Sequence, residues 1–382
     1  MQLGKSALDR WSQGPETRQA MSAERLETEG TETPAQDLSD RERQVLEAVI
    51  RTYVDTAEPA GSRNVTRRFD LGVSPATVRN TMSDLEEKGY LLHPHASAGR
   101  VPTDRAYRLF VDQLIHAEEP APETRHRLAL ELDPAGSSAV ETLIRRTSRV
   151  LSVLCQELGV AVAPALDGAV LDRLDLIRVS ASKVLLVLGI RTGVVRTVYV
   201  DLSMELPEDA LVDLTRVLNE RLAGLTLAEI RRSLPERIRD APRPDIDPAT
   251  EELINIFMQS GAELFDWPDV EASAIHLGNA SVLATQPEFT SGERLKDLIE
   301  LTERRDLLAS VLGDRAGSDE LTITIGNEHE SEELAEFTLI TAGYRVGDLK
   351  GVIGVIGPTR MPYEKVIAVV DHTSSLINNI LR

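Results

Sequence analysis

Between Gly72 and Arg108 the chain reads GVSPATVRNTMSDLEEKGYLLHPHASAGRVPTDRAYR, and this stretch holds the side chains best suited to lie against a polar surface. Ser74 is a favoured N-cap type, Pro75 fits the first helical position, and Val78, Met82 and Leu85 recur at helical spacing until Gly89 ends the run. On the helix so predicted, the face opposite Val78 carries Ala76, Thr77, Asn80 and Ser83, with Arg79 at its flank. Thr77, Asn80 and Ser83 are short and capable of hydrogen bonding, unlike the Glu and Lys mixture of an ordinary solvated helix. In a DNA major groove the amide of Asn matches adenine and the guanidinium of Arg matches guanine, each through two parallel hydrogen bonds. Arg79 and Asn80 are therefore the candidate base readers.

The elements that must position this face are short. Ser62 to Phe69 (SRNVTRRF) reads as a second small helix capped by Ser62, and Asp70 to Val73 as a four-residue turn containing Gly72. Two short helices so joined form a helix-turn-helix, whose second helix enters the major groove with its N-terminal residues on base edges. Tyr90 to His93 and Arg100 to Pro102 read as paired strands around the loop Pro94 to Gly99, which makes a wing. His93, His95, Ser97, Gly99 and Arg100 lie at its tip, where phosphate or minor-groove contact is expected. Ser62, Arg63, Ser74 and Arg100 are the candidate phosphate contacts. The His-x-His pair has no Cys or further His nearby to complete a metal site, so none is expected.

A net charge of -20 over 382 residues argues against indiscriminate nucleic-acid affinity, because phosphate binding works by displacing cations with Lys and Arg. Locally the balance reverses. From Ser62 to Arg108 there are eight basic residues against five acidic, an excess of three positive charges. A modest basic patch on an acidic body favours one kind of site in one orientation. The single cysteine, Cys155, excludes an intramolecular disulfide and falls in an apolar helical stripe, so it is expected in the core. No apolar run approaches the ~18 residues of a membrane span, and residues 1–37 lack a secretory signal, so a cytoplasmic location is expected. Those residues are polar and aperiodic and are expected to be a disordered extension; Met1 and Met21 both stay open as the start.

Further elements follow from caps and periodicity. Ser39 and Glu42 form a capping box before a helix presenting Val45, Leu46, Val49, Ile50 and Tyr53. Thr103 caps a helix expected to reach His116, with a linker at Ala117 to Glu123. Val140 to Leu158 carries a long apolar stripe. Strands are expected near Val160–Pro164, Ala169–Val179, Lys183–Ile190 and Val194–Val200, and Lys183–Ile190 is apolar enough to be sheet interior. Helices are expected near Glu208–Leu222, Thr226–Ser233 and Pro248–Leu264, followed by a single helix from Ser291 to Leu312. Strands at Leu321–Ile325, Phe337–Tyr344 and Gly351–Ile356 and a last helix from Pro362 complete an α+β, multidomain chain longer than the ~250–300 residues of one core.

Neither phosphate-loop pattern is present, so Gly347-Asp348 reads as a hairpin turn between two β runs. No H-E-x-x-H, C-x-x-C or G-x-S-x-G occurs, so no enzyme and no cofactor are expected.

The strings LSDRERQVLEAVIRTYVDTAEPAGSRNV and LGVSPATVRNTMSDLEEKGYLLHPHASAGRVPTDRAYR, with HLGNASVLATQPEF and YRVGDLKGVIGVIGPTRMPYEKVIAVVD near the other end, resemble the HrcA heat-inducible transcription repressor family over about nine tenths of the chain. That resemblance implies a winged-helix DNA-binding domain at 38–116 after the extension 1–37. It implies a GAF-like α/β domain split into 117–167 and 267–382 around an inserted dimerisation domain at 168–266, a three-stranded antiparallel sheet with helices. It further implies a homodimer that represses chaperone operons through the CIRCE inverted repeat in double-stranded DNA, modulated by a GroEL-type chaperonin. Two other readings stay open: a winged-helix regulator controlled by a small molecule in a GAF-like pocket, and an enzyme carrying an accessory DNA-binding domain, against which the missing catalytic signature counts.

Overall fold

The computed structural model describes residues 38–95, 98–115, 119–132, 140–164, 166, 168–193, 195–201, 208–239, 254–255, 275–315, 318 and 320–381. The expected extension 1–37, the wing residue Ser97 and nearly all of the expected helix Pro248–Leu264 lie outside these residues. The chain is an α+β protein with a helical N-terminal region and antiparallel sheets.

Helix α1 (Asp40–Thr56) starts at the capping box: Ser39 N donates to Glu42 Oε2 at 2.7 Å, and Glu42 N donates to Ser39 Oγ at 3.4 Å. It buries Val45, Leu46, Val49 and Ile50. Helix α2 (Ser62–Arg68) buries only Val65, and its N-cap is Gly61, not Ser62, with no side-chain cap. Helix α3 (Pro75–Glu87) begins at Ser74, whose Oγ accepts from Thr77 N at 3.2 Å, and buries Val78, Thr81, Met82 and Leu85 against the other two. Strands β1 (Leu91–Leu92) and β2 (Val101–Pro102) pair antiparallel, and a bridge between Ala60 and Arg100 ties the hairpin to the segment just before α2. Gly99 is required there, since a Cβ would collide with the Ala60 backbone. Helix α4 (Asp104–Leu109), capped by Thr103, ends in a π-helical turn at Phe110–Leu114, short of the expected His116.

The stretch expected as a linker is partly helical. Helix α5 (Pro122–Glu131) buries Leu128 and is followed by buried Leu132 in the same core as α1 and α4. Helix α6 (Val140–Cys155) leads into β3 (Leu158–Val162), which lies in a five-stranded sheet with β7 (Ile275–Leu277), β8 (Thr322–Ile325), β9 (Phe337–Val346) and β10 (Leu349–Pro358). Their order is β7-β3-β10-β9-β8, antiparallel throughout, with Gly347 at φ 59° turning β9 into β10 as expected. Both faces are covered, which explains the nearly unbroken apolar run of β10. Ile353 and Val355 face α6 and the final helix, whereas Val352 and Ile356 face Leu298, Leu301, Leu308 and Leu312.

Those four leucines come from two helices and not one. The backbone leaves the helix at Arg304 (ψ 60°) between α9 (Gly292–Glu303) and α10 (Arg305–Gly313). No Gly or Pro marks the break, and the leucines stay in phase across it, so periodicity alone runs straight through.

A second sheet, β4 (Leu171–Ser180), β5 (Lys183–Ile190) and β6 (Val195–Asp201), packs on α7 (Glu208–Leu222) and α8 (Leu227–Arg239) with a core of its own. Here β5 differs from the expectation of a fully interior strand. Val184, Leu186, Leu188 and Ile190 are buried, but Leu185 and Val187 on the other face are only half-buried. The last helix, α11 (Tyr363–Ile380), closes the molecule against α6 and the first sheet.

Cys155 is buried, and burial pushes its thiol up to about 12, which suits a core residue. Glu157 is also buried; loss of hydration raises its carboxyl well above the usual range despite a hydrogen bond from Gln286 Nε2 at 3.2 Å. A carboxyl raised on folding binds its proton more tightly in the native state, so stability falls as pH rises from the ordinary carboxylate range through the folded value. Glu157→Gln is expected to raise the melting temperature at pH 8, with the gain shrinking toward pH 4.5. Melting curves across that range check it; a gain that grows toward acid contradicts it.

Candidate nucleic-acid interface

The exposed side of α3 carries the small polar face expected of it. Ala76, Arg79 and Asn80 are exposed; Thr77 and Ser83 are half-buried, and none of the five lies in the core. Thr77 Oγ1 sits 3.0 Å from Ser74 Oγ, and Ser83 Oγ donates to the Arg79 carbonyl at 3.2 Å. These local bonds hold the small side chains close to the backbone and leave Arg79 and Asn80 projecting beyond them. The first turn of α3 contains no acidic residue, so the positive end of the helix dipole and the Ala76 N–H can face an anion.

The eight basic residues counted across this region divide into two groups. Arg68 pairs with Asp55, Lys88 with Glu42 at 3.0 Å, Arg100 with Glu86 at 2.7 Å, and Arg108 with Glu328 at 2.6 Å. Arg105 donates to the Lys88 carbonyl at 3.0 Å and lies over the Tyr90 ring. Among the described residues, Arg63, Arg67 and Arg79 are exposed and have no acidic partner. The uncommitted charge thus lies on α2 and α3 and not across the whole stretch.

Arg100 departs most from the sequence reading. Its side chain is only 16% exposed, its guanidinium is held by Glu86 at the end of α3, and its Nε is buried with no hydrogen-bond partner among the described residues. It pins the wing to α3 and does not extend toward solvent. His93 Nε2 lies 3.1 Å from the Ala98 carbonyl and closes the wing internally, whereas His95 is exposed. Gly99 is packed on Ala60, and Ser97 lies outside the described residues. Ser62 is half-buried in the first turn of α2, beside exposed Arg63; Ser74 is exposed at its cap. Arg67, one turn after Arg63 on α2, is the cation that the sequence reading missed, although its i, i+4 spacing from Arg63 was visible.

Residues 141–367 match the family model described as "HrcA protein C terminal domain". The heat-inducible transcription repressor HrcA of Chlorobium limicola is 36% identical over 359 residues, covering 90% of this chain and 98% of that protein. The chain belongs to the HrcA family. HrcA of Geobacter sulfurreducens is 35% identical over 350 residues, again with 90% of this chain and 98% of the relative covered. HrcA proteins bear the name of transcription repressors, a DNA-binding and non-enzymatic class. A solved structure described as a hypothetical protein at 2.2 Å resolution shares the fold with a TM-score of 0.61 and 20% identity, covering 90% of this chain and 98% of that one. The HrcA family model begins inside α6, so the small polar face of α3 lies N-terminal to it, within the stretch covered by the full-length relatives.

Proposed function

We propose that the chain is a cytoplasmic, homodimeric repressor of chaperone operons that reads the CIRCE inverted repeat, each protomer placing α3 in one major groove. The observation that carries this reading is the exposed small polar face of α3 beside the uncommitted Arg63, Arg67 and Arg79. Arg79 and Asn80 are assigned to base edges, and Arg63, Arg67 and the Ser74 end of α3 to phosphates. In this reading residues 38–116 are a winged helix-turn-helix, 117–167 and 267–382 a GAF-like domain, and 168–266 an inserted dimerisation domain. A mobility shift with a CIRCE duplex against scrambled competitor tests it. Equal competition by scrambled DNA would remove the sequence-specific role.

Two-fold symmetry in the protein demands matching symmetry in the site. Support for dimerisation comes from the outer face of the β4-β5-β6 sheet, where Ile177, Val179, Val195 and Tyr199 are each at least half exposed. Leu185 lies between Ile177 and Tyr199 in register, so the apolar strip crosses all three strands. An apolar strip of this kind marks an interaction surface. Tyr199→Asp is expected to convert a dimer to a monomer at micromolar concentration in light scattering. A dimer that persists would place the interface elsewhere.

Modulation by a GroEL-type chaperonin is part of the same reading, and refolding yield with and without chaperonin tests it; full spontaneous recovery would oppose it. The small-molecule reading rests on a cleft of about 580 Å³ lined by Tyr53 of α1 and by Phe289, Arg304, Phe337 and Arg360. That size is within the ~300–1,000 Å³ of ligand sites. A thermal-shift screen giving one saturable compound that releases DNA would favour it.

A further inference from the structure

The three-helix head that carries α3 is not hung on a linker. Its core is continuous with that of the larger sheet domain, and polar clamps ring the junction. On one side, Arg108 of α4 donates to both carboxylate oxygens of Glu328 at 2.7 and 2.6 Å and to the Ile323 carbonyl at 2.7 Å. Beside it, Asp104 accepts from the Asn327 backbone N–H at 3.0 Å and side-chain amide at 2.7 Å. On the other side, Arg51 of α1 donates to both oxygens of Glu364 at 3.0 and 2.5 Å. Arg360, in the loop after β10, donates to the Val54 carbonyl at 2.6 Å near the end of α1 and is itself held by both oxygens of Glu288.

These clamps reach α3 by a short path. Arg108 lies one turn from Arg105, which donates to the carbonyl of Lys88, the C-cap residue of α3; Lys88 also pairs with Glu42 of α1. Tilting α3 relative to the sheet domain therefore requires breaking a bidentate guanidinium pair on one side or the other. Bidentate pairs fix geometry as well as adding energy.

We propose that Arg108 and Arg360 are positioning residues for DNA reading: by clamping α4 and α1 to the sheet domain they fix the angle of α3, and with it the half-site spacing that a dimer accepts. This rests on the dimeric, inverted-repeat reading above. Two heads on slack tethers engage half-sites over a range of separations, whereas two clamped heads engage at one. Part of the basic excess visible in the sequence thus serves spacing and not phosphate contact.

The test uses the full chain as wild type, Arg108→Glu, Arg108→Glu/Glu328→Arg, and Arg360→Ala. Each is titrated on the inverted repeat, on repeats with the spacer changed by half a helical turn, and on a single half-site. Wild type is expected to lose about 100-fold on the altered spacer, the scale of lost bivalent engagement. Arg108→Glu and Arg360→Ala are expected to bind the half-site as wild type does but to lose less than about 10-fold on altering the spacer, and the charge swap to restore the wild-type penalty. An unchanged spacing penalty in both single variants overturns the clamp. So does a parallel loss on half-site and full site, which would give these arginines a general structural role. Wild-type protein that binds the repeat no better than the half-site would instead overturn the dimeric reading itself.

Discussion

Arg79→Ala with Asn80→Ala is expected to lower affinity for the inverted repeat by about 1,000-fold while changing random-sequence affinity only a few-fold. Each base contact made through two hydrogen bonds is worth about 1–3 kcal/mol of discrimination, and symmetry places each side chain in both half-sites. The figure sits near the low end because contacts on one helix are not additive. Among the described residues Arg79 has no carboxylate partner to leave, so bringing it to a guanine breaks none of the internal pairs they form. Alanine is the best helix former, and both positions are exposed, so α3 should remain folded. Parallel titrations on cognate and random duplexes, with circular dichroism as a folding control, decide the matter. An equal loss on both duplexes would move these residues from base readout to phosphate contact, as would a change confined to the salt slope.

Gly159→Ala is expected to destabilise the fold by about 3 kcal/mol, the upper part of the usual range for overpacking. Gly159 lies in β3 where α6 approaches backbone to backbone, and a Cβ there would overlap the Ser148 carbonyl and crowd the Ser152 amide nitrogen. The same point is stitched by Ser152 Oγ, which accepts from Gly159 N at 2.7 Å and from Asn279 N at 3.2 Å. Relief would require moving α6, and with it the core shared with the head. Gly292 provides the contrast, because it opens α9 with nothing within 4 Å of an added Cβ. Gly292→Ala should be neutral or slightly stabilising. Denaturant melts of the two variants check the pair; equal effects would mean that α6 and β3 are not tightly apposed.

The small polar face of α3 was legible in the sequence because all the determinants of that helix are local. Ser74, Pro75, the Val78/Met82/Leu85 stripe and the Ser39–Glu42 box each act within a turn of helix, and each appears where expected. The Gly347-Asp348 turn was legible for the same reason. What failed to show depends on partners far away in the chain. Nothing near Arg108 announces Glu328, and nothing in the wing announces that Arg100 turns back to Glu86. Strand β7 has only three residues and exists because β3 offers it an edge. Helix α5 starts at Pro122, inside the stretch that reads as linker, and only its burial of Leu128 against the core makes it an element. The half-exposed side of β5 has a similar origin, since an apolar run alone does not say whether one face or two will be covered.

Methylation interference on the inverted repeat tests the placement of α3 most directly, because guanine N7 lies on the major-groove edge that Arg79 is assigned to read. The account predicts that premethylated guanines block binding at symmetry-related positions in both half-sites, and that Arg79→Ala abolishes that sensitivity while weakening binding. Binding indifferent to guanine N7 in both arms, or sensitive only to adenine N3 in the minor groove, would contradict it.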